Sequence, residues 1–256
     1  MLVQSYKKVA LVMAEVMCLL CINLSPSEAR EGLSVMEHSN SHKKIVVLGA
    51  SYAGGWNPGR PVAGYQIINK GIAGQQSFEM LSRFEIDVVA AKPDAVLIWG
   101  FINDIFRGDQ NKIEEVLARI KESFTAMVEL ARRAGIVPIL ATEVTVREKE
   151  GWKEGIAAFT GKMLGKESYQ AYVNKHVRNV NQWIKEKAAS EGILLMDIHA
   201  ALSDSKGERV KEYSKPDGSH ISEEGYRVLT QFLEERLKQN FPASGIVNSS
   251  AVPSRY

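Results

Sequence analysis

Lys44-Ile45-Val46-Val47-Leu48-Gly49-Ala50-Ser51-Tyr52 decides how this chain is read. Five residues dominated by β-branched and aliphatic side chains, with no polar alternation, describe a strand covered on both faces. Gly49 stops the run, and a serine follows two residues later. Four further apolar stretches resemble it. Gln66-Ile67-Ile68-Asn69, Ala95-Val96-Leu97-Ile98-Trp99, Ile136-Val137-Pro138-Ile139-Leu140 and Ile193-Leu194-Leu195-Met196-Asp197 read as the second to fifth strands. Pro138 is an awkward residue for a central strand, because it cannot donate to the ladder.

Helical spacing fills the gaps between them. Ser77 to Ala91 has apolar residues at Phe78, Leu81, Ile86 and Val89, with Ser77 placed as an N-cap. A long amphipathic helix covers 111–134 and stops at Gly135, another covers 168–190, and the last runs from Ser222 to Leu237. Short strands alternating with helices imply an α/β fold: a three-layer α/β/α sandwich around a five-stranded parallel sheet, with right-handed crossovers. Ligands of such sheets bind beyond the carboxyl ends of the strands.

The ends of the chain differ from this body. Lys7 and Lys8 precede an apolar run from Val9 to Leu24, and Ser27-Glu28-Ala29 fits the small-x-small pattern of a cleavage site. Residues 1–29 therefore read as a signal peptide, 30–42 as a leader, 43–240 as the domain and 241–256 as a tail. The apolar run, of roughly 16 residues, is short for a membrane span, so no stable span is expected after cleavage; an uncleaved anchor is the alternative. The expected location is secreted or periplasmic. Cys18 and Cys21 both lie in the leading segment, which leaves the mature chain without a cysteine. With 32 basic and 30 acidic residues, the net charge of +2 gives no reason to expect a nucleic-acid partner, and no Cys/His cluster suggests zinc. No metal or other cofactor is implied.

Chemistry-bearing residues collect at the strand ends. Ser51 follows the first strand. Asn69-Lys70-Gly71-Ile72-Ala73-Gly74-Gln75 follows the second as a glycine-containing turn whose N–H groups could approach a ligand. Trp99-Gly100-Phe101-Ile102-Asn103-Asp104 follows the third, and an asparagine amide there could donate to a developing oxyanion; Asx capping by Asn103 or Asp104 is the plainer reading. Pro216-Asp217-Gly218-Ser219-His220 precedes the last helix and sets a carboxylate three residues from an imidazole, close enough to hold the ring and stabilise its charged form. Among the other histidines only His199, past the fifth strand, competes as a base.

These four stretches, in this order, resemble the SGNH, or GDSL-type, serine esterases across roughly residues 43–238. The resemblance implies a flavodoxin-like SGNH hydrolase fold with Ser51 as nucleophile, Gly74 and Asn103 joining the Ser51 N–H in an oxyanion hole, and Asp217 with His220 as the dyad; Gly225-Tyr226 also fits the family's last helix. It further implies a carboxylic ester hydrolase acting on acyl groups of sugars, lipids or small alcohols. An O-acyltransferase using the same triad with a glycan acceptor, or a non-catalytic SGNH-fold domain that binds carbohydrate or a partner, are the alternatives. Two departures stand out. The family's Gly-Asp-Ser-Leu is Gly-Ala-Ser-Tyr here, so Ala50 removes a carboxylate that helps organise the loop. Two residues rather than one separate Gly100 from Asn103. Trp56, Trp99 and Trp152, with Phe159 and Met163, are candidates for an apolar or sugar-stacking surface, and 146–167 is a candidate lid.

Overall fold

The computed structural model describes residues 43–147 and 168–240. The expected signal peptide, leader and tail, most of the candidate lid, and Trp152, Phe159 and Met163 lie outside the described residues. Five parallel strands form one sheet in the order β2-β1-β3-β4-β5: β1 Lys44–Gly49, β2 Gln66–Gly71, β3 Ala95–Trp99, β4 Val137–Ala141 and β5 Leu194–Met196. The two apolar runs read most directly from the sequence, β1 and β3, lie side by side at the centre, and β3 is buried along its whole length. The chain steps from β1 outward to β2, then returns past β1 to β3. This reversal leaves a crevice at the carboxyl ends of β1 and β3, where open α/β sheets bind ligands.

Right-handed crossovers dictate that the helices divide between the two faces. The main helices are α1 Ser51–Gly55, α2 Ser77–Ser82, α3 Phe84–Asp87, α4 Ile102–Arg107, α5 Ile113–Arg133, α6 Tyr169–Glu191, α7 Ile198–Ala201 and α8 Glu223–Asn240. The apolar stripe of α5 (Val116, Leu117, Ile120, Phe124, Met127, Val128, Ala131) is buried, and α5 packs on α2, β3 and β4. On the α1 side, the Trp56 indole N–H donates to Thr230 Oγ1 of α8 at 2.9 Å. Ser168 caps α6 by accepting from the Ala171 N–H at 3.1 Å.

Three expectations change. The continuous helix over Ser77–Ala91 is broken: α2 ends at Ser82, α3 covers Phe84–Asp87, and only a 3₁₀ turn spans Val89–Ala91. The break falls at Arg83, whose guanidinium turns inward to Gln75 Oε1 at 2.6 Å and the Gly49 carbonyl at 3.0 Å. Gln76, not Ser77, is the N-cap, in a capping box with Glu79. Gly71, read as part of a turn, is instead the last residue of β2.

Pro138 does lie in an internal strand, and β5 explains how. The Val137 N–H donates towards β3, to the Asp94 carbonyl at 3.0 Å. By alternation, the donor missing at Pro138 faces β5, yet β5 pairs with β4 only from Ile139 onward. The proline therefore costs no ladder bond.

Gly71 is fixed by packing against α1. A Cβ there would lie 2.1 Å from the Gly54 nitrogen and 2.5 Å from its Cα, both backbone atoms that cannot swing aside. Gly71→Ala is expected to cost on the order of 3 kcal/mol, a strong overpacking penalty. A lowered urea midpoint at unchanged m-value would show it; an unchanged midpoint would refute the close packing of β2 on α1.

Candidate active site

Ser51 opens α1 directly after β1, with Ala50 as the N-cap residue. Its neighbour Tyr52 is 3% exposed. The Tyr52 hydroxyl donates to the Ser219 carbonyl at 2.7 Å, and the Tyr226 hydroxyl of α8 donates to the Tyr52 carbonyl at 2.9 Å. The Tyr52 and His220 rings meet edge to face, 6.3 Å between centroids. A contact spanning most of the domain's sequence thus joins the segment after β1 to the segment before α8, and brings Ser51 and His220 to one edge of the sheet.

In that second segment, His220 Nδ1 lies 2.8 Å from Asp217 Oδ2. The other oxygen, Asp217 Oδ1, accepts from the Ser219 and His220 backbone N–H groups, each at 2.8 Å, and from Ser219 Oγ at 3.1 Å. Partial burial acts to raise the Asp217 pKa, but the hydrogen bonds from His220 and Ser219 outweigh it and hold the carboxyl well below the usual range. Asp217 is therefore an ionised, oriented partner for the ring. His199 lacks such a partner. The adjacent Asp197 is engaged by Lys185 Nζ at 2.7 Å and Thr142 Oγ1 at 2.9 Å, and burial lowers the His199 pKa while its Nε2 has no hydrogen-bond partner among the described residues.

The opposite wall comes from β2 and β3. Residues 72–75 form a turn closed by Gln75 N–H to the Ile72 carbonyl at 3.3 Å, with Gly74 at φ +80°. Positive φ at the third position of such a turn calls for glycine. Asn103, in the first turn of α4, donates one amide hydrogen to the Gln75 carbonyl at 3.0 Å, which orients the side chain and leaves a second donor hydrogen. Asp104, weighed above as a cap, caps a different helix. It accepts from Ser77 N–H at 2.7 Å and Ser77 Oγ at 2.9 Å, so it locks α4 to the start of α2. Burial pushes its carboxyl up to about 6 against the pull of those bonds.

Both departures from the family pattern have a physical account. The extra residue between Gly100 and Asn103 is taken up by Phe101, the residue preceding α4, whose ring is fully buried edge-on against Phe124. Ala50 is buried, 3% exposed, and packs against Gly100, where an added Cβ would come within 2.9 Å of the Ala50 nitrogen, so a carboxylate at position 50 would be desolvated. Arg83, bound to the Gly49 carbonyl and to the Gln75 side chain, ties the serine loop to the Gly74 turn in its stead.

Trp56 and Trp99 are corrected. They are 2% and 0% exposed and belong to the core, so neither presents a stacking face to a substrate. Two groups went unremarked in the sequence. Arg209, 1% exposed, donates through Nη2 to the carbonyls of Gly218 at 2.6 Å and Ser219 at 2.9 Å. Glu143, also 1% exposed, accepts from the Phe101 N–H at 3.0 Å. Glu143 lies just past β4, so the rule that sites gather at strand ends could have flagged it; Arg209 sits in a loop that carries no pattern.

Ser51, the turn holding Gly74, and Asn103 thus follow β1, β2 and β3 directly, and the Asp217–His220 pair is joined to the first of these segments through Tyr52. The chain belongs to the GDSL-like lipase/acylhydrolase family, whose model matches residues 47–228. It is similar to YqeF, an uncharacterized lipoprotein of Bacillus subtilis, at 23% identity over 176 residues, 66% of this chain and 72% of that one. A shorter stretch of 47 residues, 18% of this chain and 22% of the other, is 45% identical to an acetylxylan esterase of Geobacillus stearothermophilus. Among solved structures it resembles a GDSL-like lipase of Bacteroides thetaiotaomicron, with a TM-score of 0.59 at 20% identity over 82% of this chain and 97% of that one. A catalytic variant of the acetylxylan esterase Axe2 of Geobacillus stearothermophilus gives a TM-score of 0.57 at 19% identity, covering 77% and 95% of the two chains.

Burial raises the Glu143 carboxyl to about 7, against the opposing pull of the Phe101 hydrogen bond and the Arg209 charge. The neutral form is the one the fold favours, so the stability of the wild type should fall as pH rises from about 4.5 through 7. Relative to Glu143→Gln, that loss amounts to about 3 kcal/mol. Urea titrations of both proteins from pH 4 to 8 test this; parallel curves would contradict it.

Proposed function

We propose that this chain is a serine carboxylic-ester hydrolase working through an acyl-enzyme on Ser51. The observation that carries the reading is the Asp217–His220 pair at 2.8 Å, tied through the Ser219 carbonyl to the residue beside Ser51. His220 takes the Ser51 proton as Oγ attacks the ester carbonyl, and Asp217 stabilises the resulting imidazolium. The Ser51 and Gly74 N–H groups and the free Asn103 amide hydrogen bind the oxyanion. The imidazolium then gives its proton to the leaving alcohol. Water, deprotonated by His220, attacks the acyl-enzyme and releases the acid and free Ser51.

The substrates are acyl, including acetyl, esters of sugars, lipids or small alcohols; the acetylxylan esterase relative makes acetylated xylooligosaccharides the first glycans to assay. Export accompanies this reading, with residues 1–29 removed, and the lipoprotein relative supports a place outside the cytoplasm. N-terminal sequencing of the exported protein should then begin at Arg30.

A fluorophosphonate should label the wild type and not Ser51→Ala. Ser51→Ala should abolish hydrolysis of p-nitrophenyl acetate, and Asn103→Ala should lower kcat by about 10²–10³. Full activity in purified Ser51→Ala protein would rule the assignment out.

A further inference from the structure

The Ser219 carbonyl accepts two hydrogen bonds, from the Tyr52 hydroxyl at 2.7 Å and from Arg209 Nη2 at 2.9 Å. The same Nη2 reaches the Gly218 carbonyl at 2.6 Å. Gly218 and Ser219 are the two residues between Asp217 and His220, so one guanidinium nitrogen grips the peptide that joins the acid to the base. From the other side of that peptide, the Ser219 and His220 N–H groups hold Asp217 Oδ1. Arg147 adds to the grip: its N–H donates to the Gly218 carbonyl at 2.8 Å and its Nη1 to the Arg209 carbonyl at 2.6 Å.

Burying a guanidinium to 1% exposure is expensive unless its charge and donors are used. Here Nε and Nη1 have no hydrogen-bond partner among the described residues. A site optimised for stability alone would pair these groups or replace them with apolar ones. The cost is retained where Nη2 holds the two carbonyls between acid and base, in the segment that carries the base.

We infer that Arg209 is a positioning residue for the ester-hydrolysis reaction: with Tyr52 it clamps the Gly218–Ser219 peptide, and through that peptide it sets the aim of His220 towards Ser51. This rests on the reading of Ser51 and His220 given above. Tyr52 fixes the distance between the two segments, and Arg209 fixes the tilt of the peptide between acid and base. Lysine would keep the charge, but its side chain ends one bond short of the position of Nη2, so its ammonium would not reach both carbonyls.

The test uses the mature chain, with active sites counted by fluorophosphonate titration and p-nitrophenyl acetate as substrate. In Arg209→Lys, kcat per titrated site should fall about 10²-fold while KM stays within a few-fold, the loss expected of a misplaced catalytic group. The acid limb of the pH profile should shift, because the hold of Asp217 on the ring changes. Tyr52→Phe should give a smaller loss of the same kind, and the double variant should lose less than the product of the two, since both act on one carbonyl. A residue that only stabilised the fold would lower the titrated fraction or the Tm, leaving kcat per site and the acid limb unchanged; that result in Arg209→Lys overturns the inference. Arg209→Met is a stronger variant of the same experiment, and Arg209→Lys carries the decision if Arg209→Met does not fold. A wild type that takes no label overturns the catalytic reading and this inference with it, whereas a labelled wild type with an unaltered Arg209→Lys overturns the inference alone.

Discussion

The carbonyl oxygen of Ser219 is the point on which the rest of the site depends. The segment after β1 and the segment before α8 are far apart in the chain, and the hydrogen bond from Tyr52 to Ser219 is what makes them neighbours. Arg209 reaches the same oxygen from beneath. Because both donors are buried, neither exchanges readily with water, and the loss of one would leave a desolvated partner unsatisfied. The short helix α1 and the irregular segment before α8 are held together by this contact.

A second buried chain of polar contacts holds the other wall. Glu143 accepts from the Phe101 N–H, Asp104 from Ser77, and Arg83 joins the Gly49 carbonyl to the Gln75 side chain. Each links the end of one strand to the element after another. Burial raises the Asp104 and Glu143 carboxyls against the pull of these hydrogen bonds, so both contacts are made at a desolvation cost. Ala50 fits this scheme: it is buried against Gly100, a carboxylate would be desolvated there, and Arg83 supplies the loop's order from outside the serine motif.

How legible each part was follows from the physics it rests on. β1 and β3 were plain because a strand buried on both faces must be apolar throughout, and local composition reports that. The interruption at Arg83 was not, because the apolar spacing of Ser77–Ala91 satisfies a continuous helix; what breaks it is the arginine's bonds to residues from two other segments. Trp56 and Trp99 show the same limit. An indole near a strand end has the same letter whether it lines a cleft or fills the core, and only packing distinguishes the two. Arg209 was invisible because its partners are backbone carbonyls, which every residue has.

From the sequence alone came the α/β class, the order of elements and the small set of residues at strand ends that could carry acyl-transfer chemistry, since strand burial, helix periodicity and the three-residue spacing of Asp217 and His220 are local properties. The tertiary structure decided which histidine has an ionised partner, that Gly71 is packing and not turn, that the candidate tryptophans near the site are core, and that Tyr52 and Arg209 converge on one carbonyl. Those outcomes depend on distances between residues remote in the chain, set by the parallel sheet that brings β1, β2 and β3 to a common edge.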